Sequence, residues 1–215
     1  MEAKQVKEAL SKLKENSKKR NFTQSVELII NLKDLNIKNP DEQVDLFIDL
    51  PHSPGKDIKV CALVGPELRE HASKVCDKVI FVDDFASYTD KKDIKKLAEE
   101  YDYFIAQATV MPKVAQTFGR VFGPRQKMPN PKAGLVVPPK ANLEPLVERL
   151  RRTVRARAKT HLSVQTLVGK ENQNEDELVE NILTVYNAVA HKLPREENNI
   201  KNAQLKLTMS KPVMI

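Results

Sequence analysis

Apolar positions along the chain change their period several times, and each change marks an element. Val6, Leu10 and Leu13 recur at helical spacing among Lys, Glu and Ser, predicting a helix over residues 3–19. Residues 21–25 break that period. Val26, Leu28, Ile30 and Leu32 then alternate with Glu27, Ile29, Asn31 and Lys33, the two-residue spacing of a half-covered strand. After a polar turn containing Pro40, Val44, Leu46, Ile48 and Leu50 alternate with Asp45, Phe47 and Asp49. These two successive strands are expected to pair antiparallel.

Pro51, Pro54 and Gly55 punctuate the chain, and a domain boundary is expected there. Beyond it, short continuous apolar runs at 58–64, 79–82 and 101–106 alternate with helical patterns at 66–75, 90–99 and 111–118. Such alternation predicts a small parallel α/β unit. Asn142 is placed to cap a helix whose Leu143, Leu146, Val147 and Leu150 share a face, with Pro145 tolerated in its first turn. From Arg149 to Lys170 there is no acid, and Arg151, Arg152, Arg155, Arg157 and Lys159 crowd the first half; the chain is expected to cross back here. Leu162, Val164, Thr166 and Val168 alternate as a strand. Asn174 with Glu177 fits a capping box for a helix carrying Leu178, Ile182, Val185 and Val189. Ala203, Leu205 and Leu207 alternate with Gln204, Lys206 and Thr208 as a last strand. The ends therefore share an α+β style and the middle is α/β. The expected architecture has two domains. Both chain ends (1–57 and 153–215) form a split α+β domain, an antiparallel sheet with helices, and 58–152 form an inserted Rossmann-like α/β domain.

Charge changes the picture from fold towards partner. The chain has 215 residues, 36 Lys and Arg against 29 Asp and Glu, and a net charge of +7. That excess favours a polyanion, nucleic acid ahead of an anionic membrane. No apolar run approaches the roughly 20 residues that span a bilayer, and residues 1–20 are charged throughout, unlike a secretory signal. Cys61 and Cys76 stand in apolar runs and read as buried core thiols. His52, His71, His161 and His191 share no metal spacing. No Ser or Cys stands in a nucleophile elbow. After the first central strand comes Gly65-Pro66-Glu67: one glycine, a proline without a backbone donor, and an acid that repels phosphate. No catalytic residue, metal or cofactor is expected. The alternative, an enzyme holding a nucleotide in the central α/β domain, rests on fold analogy alone.

Residues 121–134 concentrate two Gly and three Pro in a chain with 6 Gly and 13 Pro in all, which predicts a loop of defined shape. Arg120, Arg125, Lys127 and Lys132 make it a basic surface and a secondary candidate for RNA contact. Further basic clusters lie at 18–20 and 149–159. The chain lacks Trp and is 5% aromatic, so stacking on many single-stranded bases is not its main mode. Neither helix-turn-helix nor zinc-finger spacing is present. What remains is folded RNA read by shape, 2′-hydroxyls and backbone.

Three patches in order carry a resemblance. They are Arg20-Asn21-Phe22-Thr23-Gln24-Ser25, then Gly123-Pro124-Arg125 followed by Met128-Pro129-Asn130-Pro131-Lys132, then Leu207-Thr208-Met209-Ser210. Together they strongly resemble the L-one family of large-ribosomal-subunit proteins, archaeal type, over nearly the whole chain. The resemblance implies the same split layout and no enzyme. It implies a cytoplasmic, ribosomal protein that binds the mobile stalk of large-subunit ribosomal RNA beside the exit site for deacylated tRNA. It further implies help with tRNA release during translocation, and repression of the protein's own messenger RNA through a mimic of the ribosomal site.

By the same resemblance the RNA contacts are Arg20, Asn21, Phe22, Thr23, Ser25 and Glu27 early, Lys159, Thr160 and His161 in the return loop, and Thr208, Met209, Ser210 and Lys211 late. Ser25 and Thr208 suit ribose hydroxyls. Glu27 can accept from a 2′-OH or a guanine amino edge. Phe22 and Met209 suit ribose and base faces, although composition alone would place both in a core. The family carries Gly-Pro where Ser210 and Lys211 stand, so a turn that required φ > 0 would sit poorly on Ser210.

Overall fold

In chain order the elements begin with helix α1 (Ala3–Glu15) and strands β1 (Ser25–Leu32) and β2 (Val44–Asp49). The middle runs β3 (Val60–Val64), α2 (Arg69–Val75), β4 (Lys78–Phe81), α3 (Lys91–Glu100), β5 (Tyr103–Gln107), α4 (Met111–Arg125), β6 (Val136–Val137) and α5 (Glu144–Arg152). The return contributes β7 (Thr153–Ala158), β8 (Ser163–Lys170), α6 (Glu175–Lys192), β9 (Ile200–Leu207) and β10 (Val213–Met214). The structure, a computed structural model, describes residues 1–215. They fall into two compact units, Met1–Lys56 with Arg152–Ile215, and Asp57–Arg151.

The outer unit holds an antiparallel sheet in the order β10-β9-β1-β8. β1 lies inside it, with Val26 opposite Leu207 of β9 and Ile30 opposite Val164 of β8. Its inward residues Val26, Leu28, Ile30 and Leu32 join Val6, Ala9, Leu10 and Leu13 of α1 and Leu178, Ile182, Val185 and Val189 of α6 in one core. Both helices therefore cover the same face. Asn174 caps α6 by accepting the Asp176 N–H, and Glu175, Asp176 and Glu177 place negative charge at its positive end.

The expected pairing of β1 with β2 does not occur. Both neighbours of β1 are already taken, and β2 pairs instead with β7 as a separate two-stranded ribbon. The charges explain the choice of partner: β2 offers Asp45 and Asp49, and β7 offers Arg155 and Thr153. Asp45 takes a forked pair from Arg155, Nε at 2.8 Å and Nη2 at 3.0 Å. Thr153 donates to Asp49 at 2.6 Å.

The central unit is a parallel sheet in the order β4-β3-β5-β6. Every residue of β3 is buried, as a strand covered on both faces requires. On one face Phe118 of α4 sits against Phe85 and Phe122, and Phe122 against Phe104 of β5 at 4.3 Å between ring centroids. This packing corrects one expectation. Residues 121–125 are not loop but the last turn of α4, because Val121 and Phe122 are needed in the core. Pro124 near the helix end loses only its own bond to the preceding turn. Gln126, left-handed at φ 57°, ends the helix, and a loop of short turns closing on Gly134 at φ 72° follows. A second correction concerns Cys76, which is half-buried, whereas Cys61 is fully buried. Burial pushes both thiols up, Cys61 to about 12 and Cys76 to about 11.

Candidate nucleic-acid interface

The face of the outer sheet away from its helices carries Ser25, Glu27, Ile29 and Asn31 of β1, all half-buried. Register places Lys206 of β9 opposite Glu27, and Gln204 and Asn202 opposite Ile29 and Asn31. From the other side Gln165 of β8 donates to the Glu27 carboxylate at 2.6 Å. The Asn31 side-chain amide donates to the Asn202 amide oxygen at 2.6 Å. Glu27 is therefore held in place by a neutral donor, with acceptor capacity left over.

At one end of this face the two chain ends close on each other. The Ser25 N–H donates to the Thr208 hydroxyl, and the Thr208 N–H donates to the Ser25 carbonyl, both at 3.1 Å. Lys170 reaches the Ser25 hydroxyl at 3.3 Å. Ser210 needs no positive φ, so its replacement of glycine is accommodated. Its hydroxyl accepts the Leu207 N–H at 2.9 Å and its N–H donates to the Leu207 carbonyl at 3.1 Å, which closes the turn. Phe22 is 51% exposed and Met209 is 60% exposed. Neither is a core residue, contrary to what their type alone suggests. Arg20, Asn21, Thr23 and Lys211 are also exposed.

Lys159, Thr160 and His161 lie elsewhere. They form the turn between β7 and β8, next to Ser163, which pairs with Asn31, whereas Ser25 pairs with Lys170. Six residue steps of strand separate the two ends, about 20 Å. Thr160 and His161 are exposed, but the Lys159 ammonium is held by Asp45 at 2.7 Å. Burial alone would push the Asp45 carboxyl up. Hydrogen bonds and charge from Arg155 and Lys159 outweigh that and bring it down to about 2. Between Arg155 and Lys159 in sequence, the Nε of Arg157 on β7 is buried with no partner.

In the central unit the four basic candidates divide. Arg125 is paired with Glu99 at 2.9 Å. Lys127 donates to the carbonyls of Tyr101 and Asp102 at 3.0 and 3.1 Å, a structural role. Arg120 and Lys132 are exposed. After β3, where a nucleotide phosphate would need backbone donors, the Gly65 N–H is already bonded to the Gln107 amide oxygen at 2.9 Å. The same amide donates to Glu67 and Thr109 at 3.0 and 2.9 Å, so this end of the sheet is filled by its own side chains. No group of three His, Cys, Asp or Glu side chains is arranged to share a metal ion, and no helix is long and apolar enough to cross a membrane.

Gln165, Lys206 and Gln24 join the outer-sheet site without having been expected from the sequence as site residues. The first two were legible as outward positions of alternating strands; Gln24 was not, because its partners are remote in sequence.

The chain folds as a split α+β unit with an inserted parallel α/β unit, and the sequence pattern of the ribosomal protein L1p/L10e family matches residues 13–211. The chain belongs to that family, and it is a structural protein, not an enzyme. Large ribosomal subunit protein uL1 of Pyrococcus abyssi is 41% identical over 210 residues, covering 97% of this chain and 94% of its own. The protein of the same name from Methanothermobacter thermautotrophicus is 39% identical over 213 residues, covering 98% of each chain. That from Methanothermococcus thermolithotrophicus is 39% identical over 216 residues, covering 100% of this chain and 99% of its own.

Proposed function

We propose that this chain is a component of the large ribosomal subunit that binds the stalk region of large-subunit ribosomal RNA through the Ser25–Thr208 end of its outer sheet. One observation carries the reading. Two segments from opposite ends of the chain are bonded together there, and each exposes a large apolar side chain, Phe22 and Met209, beside hydroxyls and a held carboxylate. Exposed apolar residues set among hydrogen-bonding groups suit ribose and base surfaces of a folded RNA. The Thr160-His161 turn at the far end of the sheet is a second contact, and Arg120 and Lys132 a weaker one. Beside the exit site, the protein assists release of deacylated tRNA in translocation. Bound to a similar structure in its own messenger RNA, it represses its synthesis. The tRNA and messenger roles rest on the family resemblance.

Glu27 supplies the test. Removing an acid beside RNA should tighten binding if phosphates are its only neighbours. In the proposed role Glu27→Gln weakens binding to a stalk RNA fragment by about 1–3 kcal/mol and leaves binding to random RNA unchanged or tighter. Filter-binding titrations at fixed salt measure both. Unchanged or tighter binding to the stalk fragment removes Glu27 from the interface.

A further inference from the structure

Gln24 is 1% exposed, polar, and flanked by residues that are exposed or half-exposed. Every hydrogen-bonding group it owns is used. Its amide oxygen accepts the Met209 N–H at 3.1 Å. Its amide nitrogen donates to Ser17 Oγ and to Glu171 Oε2, both at 3.3 Å. Its backbone N–H donates to Glu171 Oε1 and its carbonyl accepts the Glu171 N–H, both at 3.0 Å. One side chain thus joins the segment after α1, the start of β1, the β8–α6 connection and the turn after β9. Nothing is left over to meet a ligand.

The chemistry of the partners fixes which way the amide points. A backbone N–H can only donate, so Met209 requires the oxygen. A carboxylate can only accept, so Glu171 requires the nitrogen. Glutamine meets both demands. A glutamate at position 24 would set two carboxylates against each other, and an apolar residue would leave Met209 without its acceptor. The neighbouring Thr208 is held separately by Ser25, so losing the Gln24 oxygen frees Met209 while leaving the strand pairing intact.

We infer that Gln24 is the positioning residue of the RNA-contact turn: it does not touch RNA but sets Met209 in the geometry that does. The inference rests on the reading above, in which the Thr208–Met209 turn meets the stalk RNA. The loss of one hydrogen bond that orders a contact is worth about a factor of ten in affinity.

The test is a cycle of variants in the full chain, titrated with a ribosomal stalk fragment. Met209→Ala in the wild-type background weakens binding. Gln24→Met keeps the length of the side chain and removes the acceptor; it weakens binding about tenfold, and Met209→Ala then adds little, because the turn is already displaced. The double variant Gln24→Glu with Glu171→Gln keeps wild-type affinity, since the carboxylate at position 24 still accepts the Met209 N–H and the donor and acceptor towards position 171 are exchanged; it also serves as the folded control. Amide exchange shows lost protection at Met209 in Gln24→Met with protection retained at Leu28 and Ile30. Wild-type affinity of Gln24→Met, or an equal cost of Met209→Ala in both backgrounds, overturns the positioning role. If Met209→Ala binds as wild type does, the turn is not an RNA contact and the reading beneath falls with it.

Discussion

Asp45→Asn isolates what one carboxylate contributes to the outer unit. Asp45 is one-fifth exposed and takes three short contacts, two from Arg155 and one from Lys159. Its carboxyl lies at about 2 against an ordinary 3.8. At about 1.4 kcal/mol per pH unit that difference is worth about 2.5 kcal/mol, and about 2 kcal/mol with allowance for partial exposure. Because the folded value is the lower one, the contribution is fully present above pH 3.8 and lost as pH falls through about 2. Asparagine keeps the shape and cannot titrate. The variant should therefore be about 2 kcal/mol less stable at pH 7, and the gap should close to under about 0.5 kcal/mol near pH 2. The two units need not unfold together, so a whole-chain signal is ambiguous. Urea titrations followed at the Val154 and Ala156 amides report on the ribbon itself. A gap that does not change with pH, or no gap at neutral pH, refutes the assignment of the stabilisation to this charge cluster.

Two further outcomes follow from the division into units and from thiol burial. Residues 1–56 joined to 152–215 by a short Gly-Ser linker should fold and keep most of the affinity for the stalk fragment. Residues 57–151 should fold and bind it weakly; gel-shift titration decides, and strong binding by the central piece alone would move the interface there. In native protein at pH 7, Cys61 should resist an aromatic disulfide reagent and Cys76 react slowly, with thiols at about 12 and about 11, while both react at once in denaturant. Fast labelling of Cys61 in the native state would contradict its burial.

How far the fold could be read from sequence varied with the side chains concerned. β1 and α6 were plain because large apolar residues keep one period over their whole lengths. β7 was missed: its inward positions are Val154, Ala156 and Ala158, and two alanines between arginines make a faint stripe. β6 and β10 are two residues each and carry no period at all. The end of α4 was misread because Gly123 and Pro124 argue locally for a loop, while Val121 and Phe122 are claimed by a core that local pattern does not reveal. The partner of β1 is likewise set by residues far along the chain. The same distance hid Gln24, whose bonds to Met209 and Glu171 span 185 and 147 positions. Phe22 and Met209 were found by resemblance, since nothing in an isolated Phe or Met says that it faces water.

The strand order of the outer unit also sets a timetable. Residues 57–151 are contiguous and form a complete unit as soon as they have been made. β1 must wait for β9 at Ile200–Leu207 before it has both neighbours, and the Ser25–Thr208 clasp closes only once residue 208 has been made. A nascent or truncated chain therefore displays a finished centre and an open rim. Copies that stop short of residue 208 never assemble the clasp, so in the proposed role incomplete products would lack the RNA-binding end by topology alone.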